Sequence, residues 1–340
     1  LPILSADGVK SRFAKLAGPL TTIGTIAGAG YLLHRSLKDV RLVELWQALG
    51  DFPRHAVFEA MALTALSHLA LTSYDYLGTR YVGKKIAYWR VALAAFIAYS
   101  ISHSLGFPAV TGGAVRYRLY SRWGFNAVEV AAVMAMAGIT LFLGAFLIAG
   151  VAMLFGGGRV EAWTALPSEA VNALGVVCLT VVAVYGTIGF IRHDAISVWG
   201  CRLVIPDPRF AALQIVLSGV DWVLVTSVLY VLMPHAEGIS LTTFLGIFVV
   251  AYLLGTLSNV PGGLGVFESV ILVAFGQSLP PEKIVSALLV YRGVYHLLPL
   301  ALGGLLLLVT ELHRRGAGPR PATLLAADGS ERMTNRPVGT

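Results

Sequence analysis

The chain has 340 residues, of which 56% are hydrophobic and only 13% charged. Soluble domains carry about a quarter of their residues as charges and keep apolar residues in short periodic stripes, so the composition excludes a soluble globular domain and indicates an integral membrane protein. A formal net charge of +7 would suggest nucleic acid in a soluble chain, but here the bias of lysine and arginine toward cytoplasmic loops explains it, and no nucleic-acid partner is expected.

Crossing the hydrocarbon takes roughly 20 apolar helical residues. A basic N-terminal segment, 1–15, carries Lys10, Arg12 and Lys15 and precedes a short run, 17–33, that contains Pro19 and four glycines. This run is read as a first spanning helix rather than a signal peptide, because no small-residue cleavage site leads into a soluble domain. Full spans are then expected at 56–77, 128–154, 171–191, 211–233 and 284–310. Two segments break the pattern. In the first, about half a bilayer of helix, 91–105, stops at Gly106-Phe107-Pro108, and a second short helix follows over 111–123. In the other, an apolar run from Leu241 breaks at Asn259-Val260-Pro261-Gly262-Gly263 and then resumes.

Both broken segments read A-Y-x8-P-x3-G, with Tyr99, Pro108 and Gly112 in one copy and Tyr252, Pro261 and Gly265 in the other, 153 residues apart. The same offset carries the span starts at 17, 56 and 128 to within a few residues of those at 171, 211 and 284. The sequence therefore divides into membrane repeat 1 (16–158, hairpin 91–123), membrane repeat 2 (159–312, hairpin 241–277) and a polar tail, 313–340. Internal repetition of this kind is common in transporters. The expected fold is an all-α polytopic membrane protein with about six full transmembrane helices and two re-entrant broken-helix hairpins arranged as an inverted repeat.

If each broken segment enters and leaves by one face, eighteen lysines and arginines fall on one side and six on the other, with Arg292 inside a span. That bias makes the first side cytoplasmic and puts both termini there. Were the first broken segment a full crossing, the later loops would exchange sides and the bias would be lost. The hairpins then dip in from opposite faces and meet near the midplane. Their non-helical backbone must be covered by protein or face water, since each exposed polar group in lipid costs several kcal/mol. Half-helix N-termini aimed into such a cavity suit anions. Pro108, Gly112, Gly113, Pro261, Gly262, Gly263 and Gly265 are expected hinges, the glycines allowing close approach and positive φ.

Ionisable side chains inside membrane segments mark functional sites by default. The candidates for substrate binding are Asp75 on the second span, His103, Arg116 and Arg118 on the first hairpin, Asp221 on the span before the second hairpin, Glu268 on that hairpin, and Arg292 on the last span. Arg116 and Glu268 stand three residues after a glycine in the two copies, a cation in one repeat and an anion in its twin. A ligand bearing both charges, such as a phospholipid headgroup, suits this set: Arg116 offers a planar fork to a phosphodiester, and Glu268, Asp221 or Asp75 receives an ammonium. Alternatively the charges neutralise one another, Arg116 with Glu268 or Arg292 with Asp221. His68 and His296 are read as hydrogen-bonded core residues. No P-loop, HExxH, GxSxG or CxxC motif occurs, and Cys178 and Cys201, the only cysteines, support neither a disulfide framework nor a metal site. No catalytic residue, cofactor or metal is expected. In the absence of a nucleotide site, His68, His103 and Asp221 are the available carriers of a coupling proton.

The segments "LSNVPGGLGVFES" (257–269), "GFPAVTGGAVRYRLY" (106–120) and "TSYDY" (72–76) resemble the membrane domain of the lysylphosphatidylglycerol synthase/flippase family over about 15–315. The resemblance implies a bacterial cytoplasmic-membrane flippase that moves lysyl- or alanyl-phosphatidylglycerol from the inner to the outer leaflet and so repels cationic antimicrobial peptides. It also implies functional roles for Asp75 in SYDY, Arg116 in GGAVR and Glu268 in VFES. Family members continue into further helices and a soluble aminoacyl-tRNA-dependent synthase domain; a flippase-only member or a piece of a longer protein is therefore expected. A separate synthase subunit and a homodimer are the protein partners to consider. The competing readings are a secondary transporter of another lipid-linked or small anionic substrate, and a non-transporting scaffold for a lipid-modifying synthase.

Overall fold

The structure, a computed structural model, describes residues 50, 52–105, 108–156, 166–191, 195–198, 201–204, 206–234, 240–258 and 260–316. The N-terminal segment, the expected first span at 17–33, the tail beyond residue 316, and Gly106, Phe107 and Asn259 at the hairpin breaks lie outside the described residues.

The helices in chain order are α1 (Arg54–Tyr81), α2 (Tyr88–Leu105), α3 (Pro108–Tyr120), α4 (Ala127–Phe155), α5 (Ser168–Ile191), α6 (Pro208–Leu232), α7 (Leu241–Leu257), α8 (Val266–Phe275), α9 (Pro281–Tyr291) and α10 (Leu298–Gly316). Among the described residues five helical stretches are long and apolar enough to cross a membrane: α1, α4, α5, α6 and the continuous run from α9 into α10. The chain is thus an all-α polytopic membrane protein, with one small departure. Between α5 and α6, β1 (Ala195–Val198) and β2 (Cys201–Val204) pair antiparallel, where the alternating Ile and Val residues favour a pleated ribbon over a bare loop.

Local chemistry sets the helix starts. Asn126 and Glu129 close a reciprocal capping box on α4. Asp207 caps α6, with Pro208 in the first helical position, where the missing N–H costs nothing. Ser240 accepts from the Thr243 N–H at the start of α7. The last membrane run contains a π-helical turn, Arg292–Leu297, between α9 and α10 that no residue pattern announced.

Both broken segments fold back on themselves. α3 packs along α2, and α8 packs along α7 after a tight turn at Pro261–Gly263. Shifted by 153 residues, α1 falls on α6, α2 on α7, α3 on the Pro261–Gly263 turn plus α8, and α4 on α9 and α10. The two halves run in opposite senses. In the α1–α6 contact Ser67 and Tyr74 reach Asp221 while Tyr81 meets Phe210, so rising numbers in one helix meet falling numbers in the other.

The hinges are not equivalent. Gly262, Gly263 and Gly265 have φ of +60°, +63° and +79°, as their turn requires. Gly112 and Gly113 instead lie inside α3 and Pro108 opens it, so the first copy has no left-handed glycine at its break among the described residues. Gly112 serves close approach: a Cβ there would sit 2.9 Å from Arg116 Nη1 and 3.2 Å from Ser102 Cβ.

The main core lies between α1, α4, α6, α7, α8 and α9, around Trp222, Phe244, Phe248, Phe267 and Tyr291. Trp222 is buried and donates its indole N–H to the Leu141 carbonyl at 2.9 Å. At this crossing Gly144 lets α4 approach α6; a Cβ on it would lie 2.8 Å from Ser218 Cβ. Small residues at crossings are how membrane helices gain van der Waals contact where no hydrophobic effect drives them together.

Candidate functional site

The hairpins meet at their tips. The Gly262 Cα region rests against the carbonyls of His103 and Ser104 at the end of α2, and against Arg292 Nη1. Beside this contact lies a cavity of about 500 Å³. The first hairpin contributes Tyr99, Ser102, His103, Pro108 and Arg116; the second contributes Tyr252, Gly255, Thr256, Gly262 and Phe267. α4 closes one side with Met134, Gly138, Leu141 and Phe142, and the last helix contributes Tyr291, Arg292 and His296. Tyr99 and Tyr252, the equivalent tyrosines of the repeat, both face the cavity. Its rim includes residues exposed on the outside of the bundle, such as Thr256, Ala135 and Phe142. The polar end and the apolar rim therefore belong to one space.

Three carboxylates stand behind its walls. Asp75, fully buried on α1, holds Arg116 of α3 in a two-pronged pair: Arg116 Nε donates to Oδ2 at 2.7 Å and Nη2 to Oδ1 at 2.9 Å. Tyr120 donates its hydroxyl to the same Oδ2 at 2.7 Å. The Arg116 guanidinium also lies 4.4 Å from the centre of the Tyr99 ring, a cation–π contact across the cavity wall. A planar fork paired bidentately is geometrically specific, and a lysine could not reproduce it.

Glu268 takes its partner from the last helix. Arg292 Nε donates to Glu268 Oε1 at 2.7 Å, and Nη1 donates to the Gly262 carbonyl at 2.5 Å. Glu268 Oε2 accepts the Gly265 N–H at 2.8 Å, capping α8. One arginine thus ties the tip of the second hairpin to its first turn and to the start of the π-helical stretch. His296, one turn on, approaches Arg292 Nη1 at 3.4 Å.

Asp221 on α6 is different. Ser67 donates to Oδ1 at 2.7 Å and Tyr74 to Oδ2 at 2.9 Å, both from α1. Among the described residues no arginine, lysine or histidine comes within ion-pair distance of it.

The pairings differ from both sequence alternatives: Arg116 pairs with Asp75, not Glu268, and Arg292 with Glu268, not Asp221. Arg116, His103 and Arg292 line the cavity, whereas Asp75, Asp221 and Glu268 lie behind it as partners. Arg118 is not at the site. It is exposed, and with Arg122 it binds Glu311 on α10 at 2.8 and 2.5 Å. An α-helix turns each residue by about 100°, so Arg118 points away from the face that carries Arg116. His68 is the core histidine expected, its Nδ1 3.0 Å from the Thr64 carbonyl. His296, read as core from the sequence, lines the cavity instead. Tyr74, Tyr120 and Ser67 went unassigned, although Tyr74 stands beside Asp75 in the SYDY motif; that adjacency was the one available signal.

The family described as "Lysylphosphatidylglycerol synthase TM region" matches residues 20–303. The inner membrane protein YbhN of Escherichia coli (strain K12) is 31% identical over 279 residues, covering 81% of this chain and 86% of that protein. The uncharacterized protein slr0712 of Synechocystis is 34% identical over 262 residues, covering 75% of this chain and 80% of that protein. The phosphatidylglycerol lysyltransferase of Staphylococcus aureus (strain COL) is 26% identical over 270 residues, 78% of this chain but 31% of that protein.

Proposed function

Because the chain belongs to the family of lysylphosphatidylglycerol synthase transmembrane regions, we propose that it is a phospholipid flippase that carries aminoacylated phosphatidylglycerol from the inner to the outer leaflet of a bacterial cytoplasmic membrane. The observation that carries the reading is the cavity between the hairpins, lined both by Arg116, Arg292 and His103 and by residues such as Phe142 that are exposed on the outside of the bundle. A lipid needs both: a wet place for its head and an open side for its acyl chains. Arg116 and Arg292 meet the phosphodiester from opposite repeats. Since each already has a carboxylate partner, phosphate binds by sharing a guanidinium, which has five donors. The amino group of the headgroup is received by Tyr99, Tyr252 and the cavity-facing carbonyls rather than by Glu268, whose oxygens are already engaged.

The name of the staphylococcal lysyltransferase supports the lipid class; YbhN and slr0712, matched over most of their length, support a role for this membrane region outside the context of a lysyltransferase. The reading assigns transport, and not aminoacyl transfer, to this segment, with both ends of the membrane region on the cytoplasmic side.

The test is labelling of aminoacylated lipid by a membrane-impermeant amine reagent, in cells that make the lipid and carry either the wild type or Gly138→Trp. Gly138 lines the cavity and has no heavy atom within 4 Å of an added Cβ, so a large side chain can start there without a clash at its Cβ and takes up cavity space. The expected result is outer-leaflet label at the level of cells lacking the protein, with total lipid and expression unchanged. Equal labelling of wild-type and Gly138→Trp cells would reject the reading.

A further inference from the structure

Asp75 and Glu268 are each neutralised by a guanidinium, but Asp221 has no such partner among the described residues. It is 3% exposed, in the middle of a membrane helix. From α1 it faces Ser67 and Tyr74; Tyr252 of α7, Tyr291 of α9, Tyr295 of the π-helical turn and Tyr99 of α2 surround it at longer range. The one titratable residue of α4, Glu129, caps that helix's first turn, and Tyr185 of α5 bonds Gln214, about two turns from Asp221. His68 stands one ring farther off, 5.2 Å from Tyr295. Both of its hydrogen-bond donors are hydroxyls. A buried charge without a counter-ion is expensive, and a carboxylate in such a place is retained for a purpose other than stability.

We propose that Asp221 is where a proton is taken up and released in each transport cycle, so that lipid movement is coupled to the proton gradient. The inference rests on the lipid-transport reading. The hydroxyl shell suits both states of the acid. When Asp221 is ionised, Ser67 and Tyr74 donate to it, as in this structure. When a proton sits on Oδ1, the acid donates to Ser67 Oγ and Ser67 turns its own proton to the Tyr295 hydroxyl 3.2 Å away, a contact in which either oxygen can donate. Both oxygens of Asp221 and the Ser67 hydroxyl keep a partner in either state. Tyr74 connects the two sites, its body lining the cavity and its hydroxyl on Asp221. One proton enters Asp221 from the outside and leaves to the cytoplasm as one lipid moves outward; no bond other than O–H forms or breaks.

The full chain is reconstituted in phosphatidylethanolamine/phosphatidylglycerol vesicles with a short-chain fluorescent lysyl-phosphatidylglycerol, and leaflet distribution is read by impermeant quenching. With one proton per lipid, an imposed difference of one pH unit shifts the steady-state leaflet ratio about tenfold. In Asp221→Asn the ratio with the gradient equals the ratio without it, whatever the underlying rate. In the wild type an imposed lipid gradient changes the signal of an entrapped pH dye, which tests the coupling without relying on a variant that folds. A pH response retained by Asp221→Asn, a silent dye, or a tenfold shift driven by sodium in place of protons overturns the proposal. Lipid movement that ignores pH in the wild type also overturns it while leaving the flippase reading intact; no lipid movement at all removes the flippase reading itself.

Discussion

Arg116→Met is the perturbation with the best-defined consequence. The substitution keeps an unbranched stem as far as the position of Nε and removes the guanidinium, leaving Asp75 fully buried with two of its donors gone and Tyr120 still bonded. Breaking one partner of a buried pair costs about 3–5 kcal/mol, because a lone charge is left behind. Removing both charges, in Asp75→Leu with Arg116→Met, leaves the buried Tyr120 hydroxyl without its acceptor, at about 1–3 kcal/mol, while Tyr99, which also bonds Asp75, lines the cavity. The double variant is therefore expected to be more stable than Arg116→Met alone. Denaturant unfolding in mixed micelles, followed by tryptophan fluorescence, measures this, since buried Trp222 reports the α4–α6 crossing. Additive single-variant losses, or an Arg116→Met variant within about 1 kcal/mol of wild type, would refute the energetic reasoning. The same pair separates roles: if Arg116 also holds phosphate, transport stays lost in the double variant although stability returns.

Further outcomes are as specific. Gly144→Ala is expected to cost about 1–3 kcal/mol by overpacking against Ser218, while Gly138→Ala, which meets open space in a helix interior, is expected to raise stability by up to about 1 kcal/mol. Glu268→Gln removes the charge-assisted bond to Arg292, so amide exchange at residues 260–266 is expected to rise about ten- to a hundredfold, read by mass spectrometry. Arg118→Ala lies on the surface beside Glu311; it is expected to change stability by less than about 1 kcal/mol and to leave leaflet labelling at the wild-type level.

Hydropathy and repetition made most of the architecture readable. Continuous apolar runs located the five spans among the described residues to within a few residues, since lipid-facing helices carry a strong one-dimensional signal. The A-Y-x8-P-x3-G pattern located both hairpins and brought two cavity-lining tyrosines with it. The partner of each charge was not readable, because pairing depends on which face of a helix meets which neighbour. Asp75 and Arg116 are separated by a whole hairpin arm, and their contact follows from how α3 folds back along α2 and presents Arg116 to α1. The π-helical turn at Arg292–Leu297 was equally silent in the sequence: an extra residue in one helical turn leaves hydropathy unchanged and alters only the direction in which Arg292 and His296 point. Arg118 was drawn into the site by its nearness to Arg116 along the chain, whereas helical geometry sends it elsewhere.

Under the proposed transport function, the unequal hinges bias the two end states. In a perfectly symmetric inverted repeat, exchanging the conformations of the two halves yields an inside-facing and an outside-facing form of equal energy. Here one arm turns on three left-handed glycines, whereas among the described residues the other has none at its break and opens its second helix at a proline. The exchanged forms are therefore different molecules energetically, one favoured at rest. Such a difference sets which form is populated at rest; it cancels over a complete cycle and gives no net direction by itself.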